Sequence, residues 1–98
     1  MTPEGKVKKK VTDILKALDI YYFTPVSGGY GKSGVPDIVA CCNSRFIGIE
    51  CKAGQNQPTA LQTAQLEAIK RAGGRAFVVN EDSLLHLHRQ LLFIRIKE

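Results

Sequence analysis

The sequence predicts an α/β fold in which a mixed β-sheet is flanked by helices, with the elements in the order α-β-β-β-α-β-α. Three observations predict it. An apolar stripe at helical spacing opens the chain, two apolar runs joined by a short polar link indicate a hairpin, and a later helix followed by an apolar strand allows a parallel pair. The 98 residues are enough for one domain, residues 1–98.

The first predicted helix covers residues 3–18. Thr2 can cap it, and Pro3 fits the first helical position. Its apolar stripe consists of Val7, Val11, Ile14, Leu15 and Leu18. Most of its lysines fall off this stripe, so they form either a solvated face or a surface that faces phosphates.

Residues 20–26 are aromatic and β-branched and predict the first strand. A glycine-rich segment, residues 27–34, follows it. Gly31-Lys32-Ser33 partly resembles a phosphate-binding loop, but the chain continues into Gly-Val-Pro and a strand instead of a helix. A simple nucleotide-binding protein is therefore disfavoured.

Residues 37–42 and 46–52 predict two strands of a hairpin, joined by the polar link 43–45. After a polar loop at 53–58, residues 59–72 predict a helix that Gly73-Gly74 ends. Its expected inward residues are Leu61, Ala64, Ala68 and Ile69. Residues 75–80 predict a strand, residues 83–92 a final helix, and residues 93–96 an edge strand.

The net charge of +5 and a pI of about 9.3 favour a polyanionic partner. The N-terminal residues contain no apolar signal region, and no apolar run approaches the roughly 20 residues that span a bilayer. The three cysteines lie in predicted strands and are expected to be buried, reduced thiols, as in a cytoplasmic protein. Their spacing, and the distance to His86 and His88, do not fit a zinc site.

The chemistry is expected where the hairpin ends. Glu50 and Lys52 project from one face of a strand, and Cys51 from the other. The hairpin returns this strand end to Asp37, which clusters two carboxylates and an ammonium. A hard divalent cation suits such a pair of carboxylates and can activate water for phosphodiester hydrolysis, with Lys52 stabilising the developing charge. From the residues alone, a turn-capping aspartate and a surface ion pair explain the pattern equally well.

At these residues a family resemblance appears. Gly34-Val35-Pro36-Asp37 followed by Glu50-Cys51-Lys52 resembles the PD-(D/E)XK nuclease superfamily, and the glutamine-bearing helix that ends in Gly73-Gly74 is similar to the VRR-NUC family. The resemblance covers residues 4–79. It implies a restriction-endonuclease-like core and a Mg²⁺- or Mn²⁺-dependent, structure-specific DNA endonuclease. The stand-alone viral and bacterial members it resembles act as homodimers on branched DNA such as four-way (Holliday) junctions. The viral members make a phage-encoded enzyme, acting in the cytoplasm of a bacterial host, one of the origins that the resemblance implies.

Carried over by position, the resemblance implies a role for each matching residue. Asp37 and Glu50 correspond to the metal ligands, together with the backbone carbonyl of Cys51, and Lys52 corresponds to the catalytic lysine. Gln62 resembles the family's helical glutamine, with Gln65 as the alternative.

Glu4 resembles the acidic residue of the family's first helix, which reaches a second metal or its water shell. A favourable charge in the first helical turn would also explain it. Independently of the resemblance, the position of Tyr30, Lys32 and Ser33 before Asp37 makes them candidate phosphate or substrate contacts, or simply loop residues.

Two alternatives to a junction nuclease stay open: a flap or nicked-duplex nuclease of the same fold, and a non-catalytic DNA-binding module. The intact Asp37, Glu50 and Lys52 set argues against the second. The sequence does not locate a dimer interface, for which the apolar residues 91–94 and the first helix are the candidates.

Overall fold

The computed structural model describes residues 1–26 and 33–98. Its elements are α1 (Pro3–Ala17), β1 (Tyr21–Phe23), β2 (Ile38–Cys42), β3 (Arg45–Cys51), α2 (Ala60–Arg71), β4 (Arg75–Val79) and α3 (Leu84–Lys97). The predicted order α-β-β-β-α-β-α is therefore confirmed. No helix within these described residues has the length and apolar character needed to cross a membrane.

The four strands form one mixed sheet in the order β1-β2-β3-β4. The β2–β3 hairpin is antiparallel and β3–β4 is parallel, in line with the sequence pattern, and β1 pairs antiparallel with β2. The hairpin between β2 and β3 closes more tightly than expected, because Cys42 pairs with Arg45 and only Asn43 and Ser44 remain in the turn. Their φ angles of 50° and 68° are those that a type I′ turn requires.

The start of the chain follows its capping pattern. The hydroxyl Oγ1 of Thr2 accepts a hydrogen bond from the Gly5 N–H at 2.9 Å. Asp19, with a φ of 56°, reverses the chain after α1. β1 is shorter than the predicted 20–26: Ile20 lies in the core before the strand begins, and the strand ends at Phe23.

Helices α1 and α3 cover one face of the sheet and share its main core. That core contains Val7, Val11, Leu15, Ile38, Ala40, Cys42, Ile47, Ile49, Cys51, Val79, Leu87, Leu91 and Ile94. Helix α2 packs against β3 and β4 on the opposite face. Gly48 allows this close packing, because a Cβ there would lie 2.6 Å from Cδ1 of Ile69 and 2.9 Å from Cγ of Pro36.

The predicted inward face of α2 is wrong by about one position. Leu61, Ala64 and Ala68 are exposed, whereas Leu66 is buried. The face that meets the sheet runs through positions 62, 65, 66 and 69, at i, i+3, i+4 and i+7 spacing. Two glutamines occupy that face, so its apolar pattern is interrupted.

The predicted edge strand at 93–96 is also wrong, because α3 continues to Lys97. Leu87, Leu91 and Ile94 recur at helical spacing and are at most 1% exposed. The side-chain amide of Asn43 donates to the carbonyl of Ile94 at 2.9 Å and ties this helix to the hairpin turn. Leu91, Ile94 and the buried stripe of α1 therefore fill the core, whereas Phe93 is 51% exposed.

Candidate active site

Asp37 lies directly before β2, at the end of the sheet where β3 finishes. The antiparallel hairpin causes this, since Ile38 at the start of β2 pairs with Ile49 near the end of β3. The backbone N–H of Cys51 donates to Oδ2 of Asp37 at 2.9 Å. The predicted return of Glu50-Cys51-Lys52 to Asp37 is thus present in the structure.

Glu50 and Lys52 share one face of β3, and Cys51 faces the opposite way, as the period of two predicts. The Nζ of Lys52 lies 3.6 Å from Oε2 of Glu50, and the Lys52 side chain is only 12% exposed. Cys51 is fully buried in the core under α1 and α3. Burial, together with the charges of Asp37 and Glu50, raises the pKa of the Cys51 thiol to about 12. A thiol held in this protonated form is a poor metal ligand.

Among the charged residues that the structure describes, Glu50 alone is buried, at 1% exposure. Its Oε1 has no hydrogen-bond partner among these residues. The pKa of Glu50 is raised to about 7, mainly because the carboxyl group is buried and also because it lies beside the Asp37 carboxylate, while Lys52 lowers it. An unpartnered buried carboxylate oxygen is costly, and the one nearby ammonium does not remove that cost.

The donor set fits a hard divalent cation. No three or more side chains of His, Cys, Asp and Glu within residues 1–26 and 33–98 form a cluster that could hold a metal ion. Asp37 and Glu50 instead provide two carboxylates. Mg²⁺ commonly takes one or two carboxylates and completes its shell with water and phosphate oxygens. A bound cation would also give Oε1 of Glu50 the partner that it lacks among the described residues.

The first two turns of α1 contribute charge to the same region. Glu4 is half-buried, and its carboxylate raises the pKa of both Glu50 and Cys51. Lys8, one turn later on the same helical face, lowers the pKa of Cys51. Glu4 therefore lies within electrostatic reach of the Glu50 carboxylate and the Cys51 thiol. Within the lysine run of α1, the sequence distinguishes Lys8 only by its spacing of four residues from Glu4.

Gln62 occupies the first turn of α2. Its Oε1 accepts a hydrogen bond from the Thr59 N–H at 2.9 Å, and its own N–H donates to Oγ1 of Thr59 at 3.2 Å, which completes a capping box. The Nε2 amide is then the part of this side chain that can donate to a ligand. Gln65, the alternative, lines an apolar groove between α2 and Phe46.

Gly34 connects the Asp37 segment to α2. Its φ is +77°, and a Cβ there would lie 2.6 Å from the carbonyl carbon of Leu61 and 2.8 Å from the backbone nitrogen of Gln62. Only glycine suits both the conformation and this approach. The glycine of the Gly34-Val35-Pro36-Asp37 motif thus lets the chain pass over the first turn of α2 on its way to Asp37.

Replacing Gly34 by Ala is expected to destabilise the protein by about 1–3 kcal/mol, because the added methyl group meets backbone atoms in a strained conformation. Gly73→Ala is the matched control, since its φ is +98° and no atom lies within 4 Å of the added carbon. Urea denaturation of both variants measures the difference. Equal losses for the two would contradict a role for the close approach.

The glycine-rich segment is only partly described. Ser33 is exposed in the turn that precedes Asp37. Tyr30 and Lys32 lie outside the described residues. A second region, which the sequence predicts to be a plain polar loop, forms one wall of a cleft: residues 54–57 and Lys52 line it beside the end of β4. The available signal was the amide triplet Gln55-Asn56-Gln57, which begins three residues after Lys52.

Comparisons with known proteins agree on the class of fold. The family model described as archaeal Holliday junction resolvase (Hjc) matches residues 23–96. A solved structure described as a VRR_NUC domain protein superimposes with a TM-score of 0.66 at 18% sequence identity, covering 90% of this chain and 88% of that chain. No curated protein matches the chain. These findings confirm the resemblance to VRR-NUC nucleases and the mixed-sheet fold that it implies.

Proposed function

The chain belongs to the archaeal Holliday junction resolvase (Hjc) family of PD-(D/E)XK nucleases, and from this premise we propose that it is a Mg²⁺- or Mn²⁺-dependent endonuclease that cuts four-way DNA junctions as a homodimer. One observation carries the metal-dependent part. A buried glutamate with an unpartnered oxygen lies beside a second carboxylate and a nearly buried lysine, at one end of the sheet. A module that only binds DNA would gain nothing from this costly arrangement.

Asp37 and Glu50, with the backbone carbonyl of Cys51, are the groups proposed to hold the metal. When bound, a divalent cation lowers the pKa of its water and neutralises charge on the phosphodiester. Hydrolysis joins the water oxygen to phosphorus and breaks the bond from phosphorus to the leaving sugar oxygen, which takes up a proton.

Lys52 is proposed to position the attacking water and to stabilise charge on a phosphate oxygen in the transition state. The ion pair between Lys52 and Glu50 holds the Lys52 ammonium next to the proposed metal ligands. The Cys51 N–H fixes the orientation of Asp37, since it donates to Oδ2 of that carboxylate. We assign Gln62 the donation of its Nε2 amide to a water or phosphate oxygen, and Glu4 a place in the outer water shell.

DNA as the partner is supported by charge. The net charge is +5, and Lys8 of α1 is close enough to Cys51 to lower the pKa of its thiol. We also propose that Tyr30, Lys32 and Ser33, which precede Asp37 in the sequence, contact the DNA phosphates. The three free cysteines fit a reducing compartment such as the cytoplasm, where cellular DNA is cut and repaired.

The test is cleavage of four-way junction, flap, nicked duplex and linear duplex substrates with Mg²⁺, with Mn²⁺ and with EDTA. Preferential cutting of the four-way junction in either metal, and none in EDTA, is the expected result. Faster cutting of the flap or nicked duplex would replace the junction assignment by the alternative nuclease. Binding of junctions without cutting in any metal would favour the DNA-binding module.

The dimer is supported by an incompletely covered sheet face. Tyr21, Cys41 and Phe46 are directly opposite one another across β1, β2 and β3, and all three are exposed. They share the face on which α2 packs against β3 and β4. With Phe23, three aromatic rings are 72%, 50% and 50% exposed there. At roughly 150–250 Å² each, such rings expose several hundred Å², a sizeable part of the roughly 800 Å² that a stable interface buries on each partner.

The same face also contains a groove that could accommodate aromatic rings from a second copy. An apolar groove of about 310 Å³ runs between Phe46 and α2, lined by Ala68, Ile69 and Ala72. Projecting rings and a shallow groove on one surface make it self-complementary, as a two-fold interface requires. We therefore place the second copy on this face. Two active sites related by a two-fold axis would suit paired cuts in a two-fold junction.

Cys41 tests this placement, because it is the only exposed cysteine, while Cys42 and Cys51 are buried. We expect maleimide labelling of Cys41 to be slow at high protein concentration and to accelerate on dilution, as the dimer dissociates. Phe46→Lys should give a monomer in sedimentation analysis. Phe93→Lys, at a ring that is 51% exposed on α3, should leave the dimer intact. Dilution-independent labelling of a stable dimer would move the interface elsewhere.

A further inference from the structure

A cleft of about 320 Å³ opens beside Lys52, between the polar loop after β3 and the turn that connects β4 to α3. Its size is near the lower end of small-ligand sites. Its walls carry Lys52, Val78, Val79, Asn80, Ser83 and residues 54–57. Because Lys52 forms part of both the cleft and the carboxylate cluster, whatever occupies the cleft lies next to the reacting groups.

The loop wall of the cleft is tied down at its base. The Gly54 N–H donates to Oε1 of Glu81 at 2.6 Å, and Nδ2 of Asn80 donates to the Gly54 carbonyl at 2.9 Å. Oδ1 of Asn80 in turn accepts from the Asp82 N–H at 2.9 Å. One asparagine thus joins the loop to the turn on the other side. The amides that follow are presented from a fixed base, which lowers the entropic cost of binding.

The lining of this cleft is polar but almost uncharged. Lys52 is its one charged side chain among the described residues. Gln55, Asn56 and Gln57 are exposed amides, and each amide offers both a donor and an acceptor. Val78 adds an apolar surface, since it is 45% exposed. A bare phosphate accepts hydrogen bonds only and favours arginine or lysine, whereas the edge of a base presents donors and acceptors together.

We propose that this cleft binds the nucleotide next to the scissile phosphate, with Gln55, Asn56 and Gln57 contacting the edge of its base and Val78 its apolar surface. The consequence is a sequence preference at the cut, superimposed on recognition of the junction shape. This inference rests on the proposed function, because Lys52 marks the cutting centre only if the chain cleaves DNA. Asn80 acts as a positioning residue that holds the loop in place.

The test is a panel of four-way junctions of one shape in which the base pairs at the branch point are permuted. We expect the wild-type protein to cut its best sequence about tenfold or more faster than its worst, the size of effect that a good amide–base contact gives. In the triple variant Gln55→Ala, Asn56→Ala, Gln57→Ala, all rates should agree to within about threefold. Gln90→Ala, an amide on α3 outside the cleft, should keep the wild-type preference.

A wild-type protein that cuts every sequence at the same rate would overturn the inference and leave the proposed function intact. A triple variant that keeps the wild-type pattern would do the same. A binding measurement without cleavage tests the cleft separately from the proposed nuclease activity. In EDTA, a short DNA duplex titrated into nitrogen-15-labelled protein should shift the side-chain amide signals of Gln55, Asn56 and Gln57. Unmoved signals in a duplex that does bind would count against the cleft, whether or not the protein cuts DNA.

Discussion

Asp37→Asn and Lys52→Ala are each expected to lower the rate of junction cleavage by about 100-fold or more, with little loss of junction binding. Asp37→Asn removes a negative charge from the proposed metal site but keeps an oxygen that can accept from the Cys51 N–H, so the loop geometry is retained. Lys52→Ala removes the ammonium beside Glu50. Loss of a single group that stabilises transition-state charge commonly costs this much.

Single-turnover cleavage with Mg²⁺ and with Mn²⁺ measures the rates, and gel-shift titration in EDTA measures the binding. Asp19→Asn and Lys97→Ala serve as matched controls, since both residues are exposed and lie outside the carboxylate cluster. Both controls should cut at wild-type rates. Wild-type cleavage by either site variant would refute the catalytic assignment. A parallel loss of binding would point instead to a role in DNA affinity.

The second large effect concerns stability in the absence of metal. Burial, together with the neighbouring Asp37 charge, raises the pKa of Glu50 from 4.5 to about 7. Between these two values the folded protein holds a proton that the unfolded chain has released. Its stability therefore falls as the pH rises from about 4.5 through 7 and changes little above that. The difference of 2.5 pKa units between 4.5 and 7 corresponds to at most about 3 kcal/mol.

Glu50→Gln should abolish this part of the decline, because an amide carries no charge to bury. In EDTA, the variant is expected to be more stable than the wild type at pH 8 and comparable to it at pH 5, as measured by urea denaturation. Glu67→Gln, at a half-exposed glutamate on α2, should follow the wild-type curve. Wild-type and Glu50→Gln curves that run parallel from pH 5 to pH 8 would contradict the assignment.

Adding Mg²⁺ gives an independent check on the same residue. A ligand that binds only the folded state raises its stability. At pH 8, saturating Mg²⁺ should therefore raise the melting temperature of the wild-type protein. Glu50→Gln should show a much smaller increase, because one of the two proposed carboxylate ligands is missing. Equal increases in both proteins would mean that the cation binds elsewhere.

The cluster of Asp37, Glu50 and Lys52 could be predicted from the sequence because it depends on two local rules. Side chains alternate along a strand, and a hairpin returns one strand beside another. Neither rule needs knowledge of distant contacts. The element order was predictable for the same reason, since each helix and strand carries its own periodicity or turn signal.

The errors arose where the local pattern was ambiguous. Gln62 and Gln65 interrupt the inward face of α2, so the exposed Leu61 made the neighbouring face look apolar. Residues 93–96 form a short apolar run, which fits a strand as well as a helix until Ile94 is seen packed in the core. The bond between Asn80 and Gly54 joins residues 26 apart, and no local periodicity signals such a contact.

The short turn between β2 and β3 has a consequence for how the chain can change in length. Glu50 faces the site and Cys51 faces the core only because the register that pairs Ile38 with Ile49 is kept. One residue added within either strand would exchange these faces, turning a thiol towards the site and a carboxylate into the core. Residues added beyond the Cys42–Arg45 pair would leave the faces unchanged. Insertions should therefore be tolerated at the tip of this hairpin and selected against, one at a time, inside its strands.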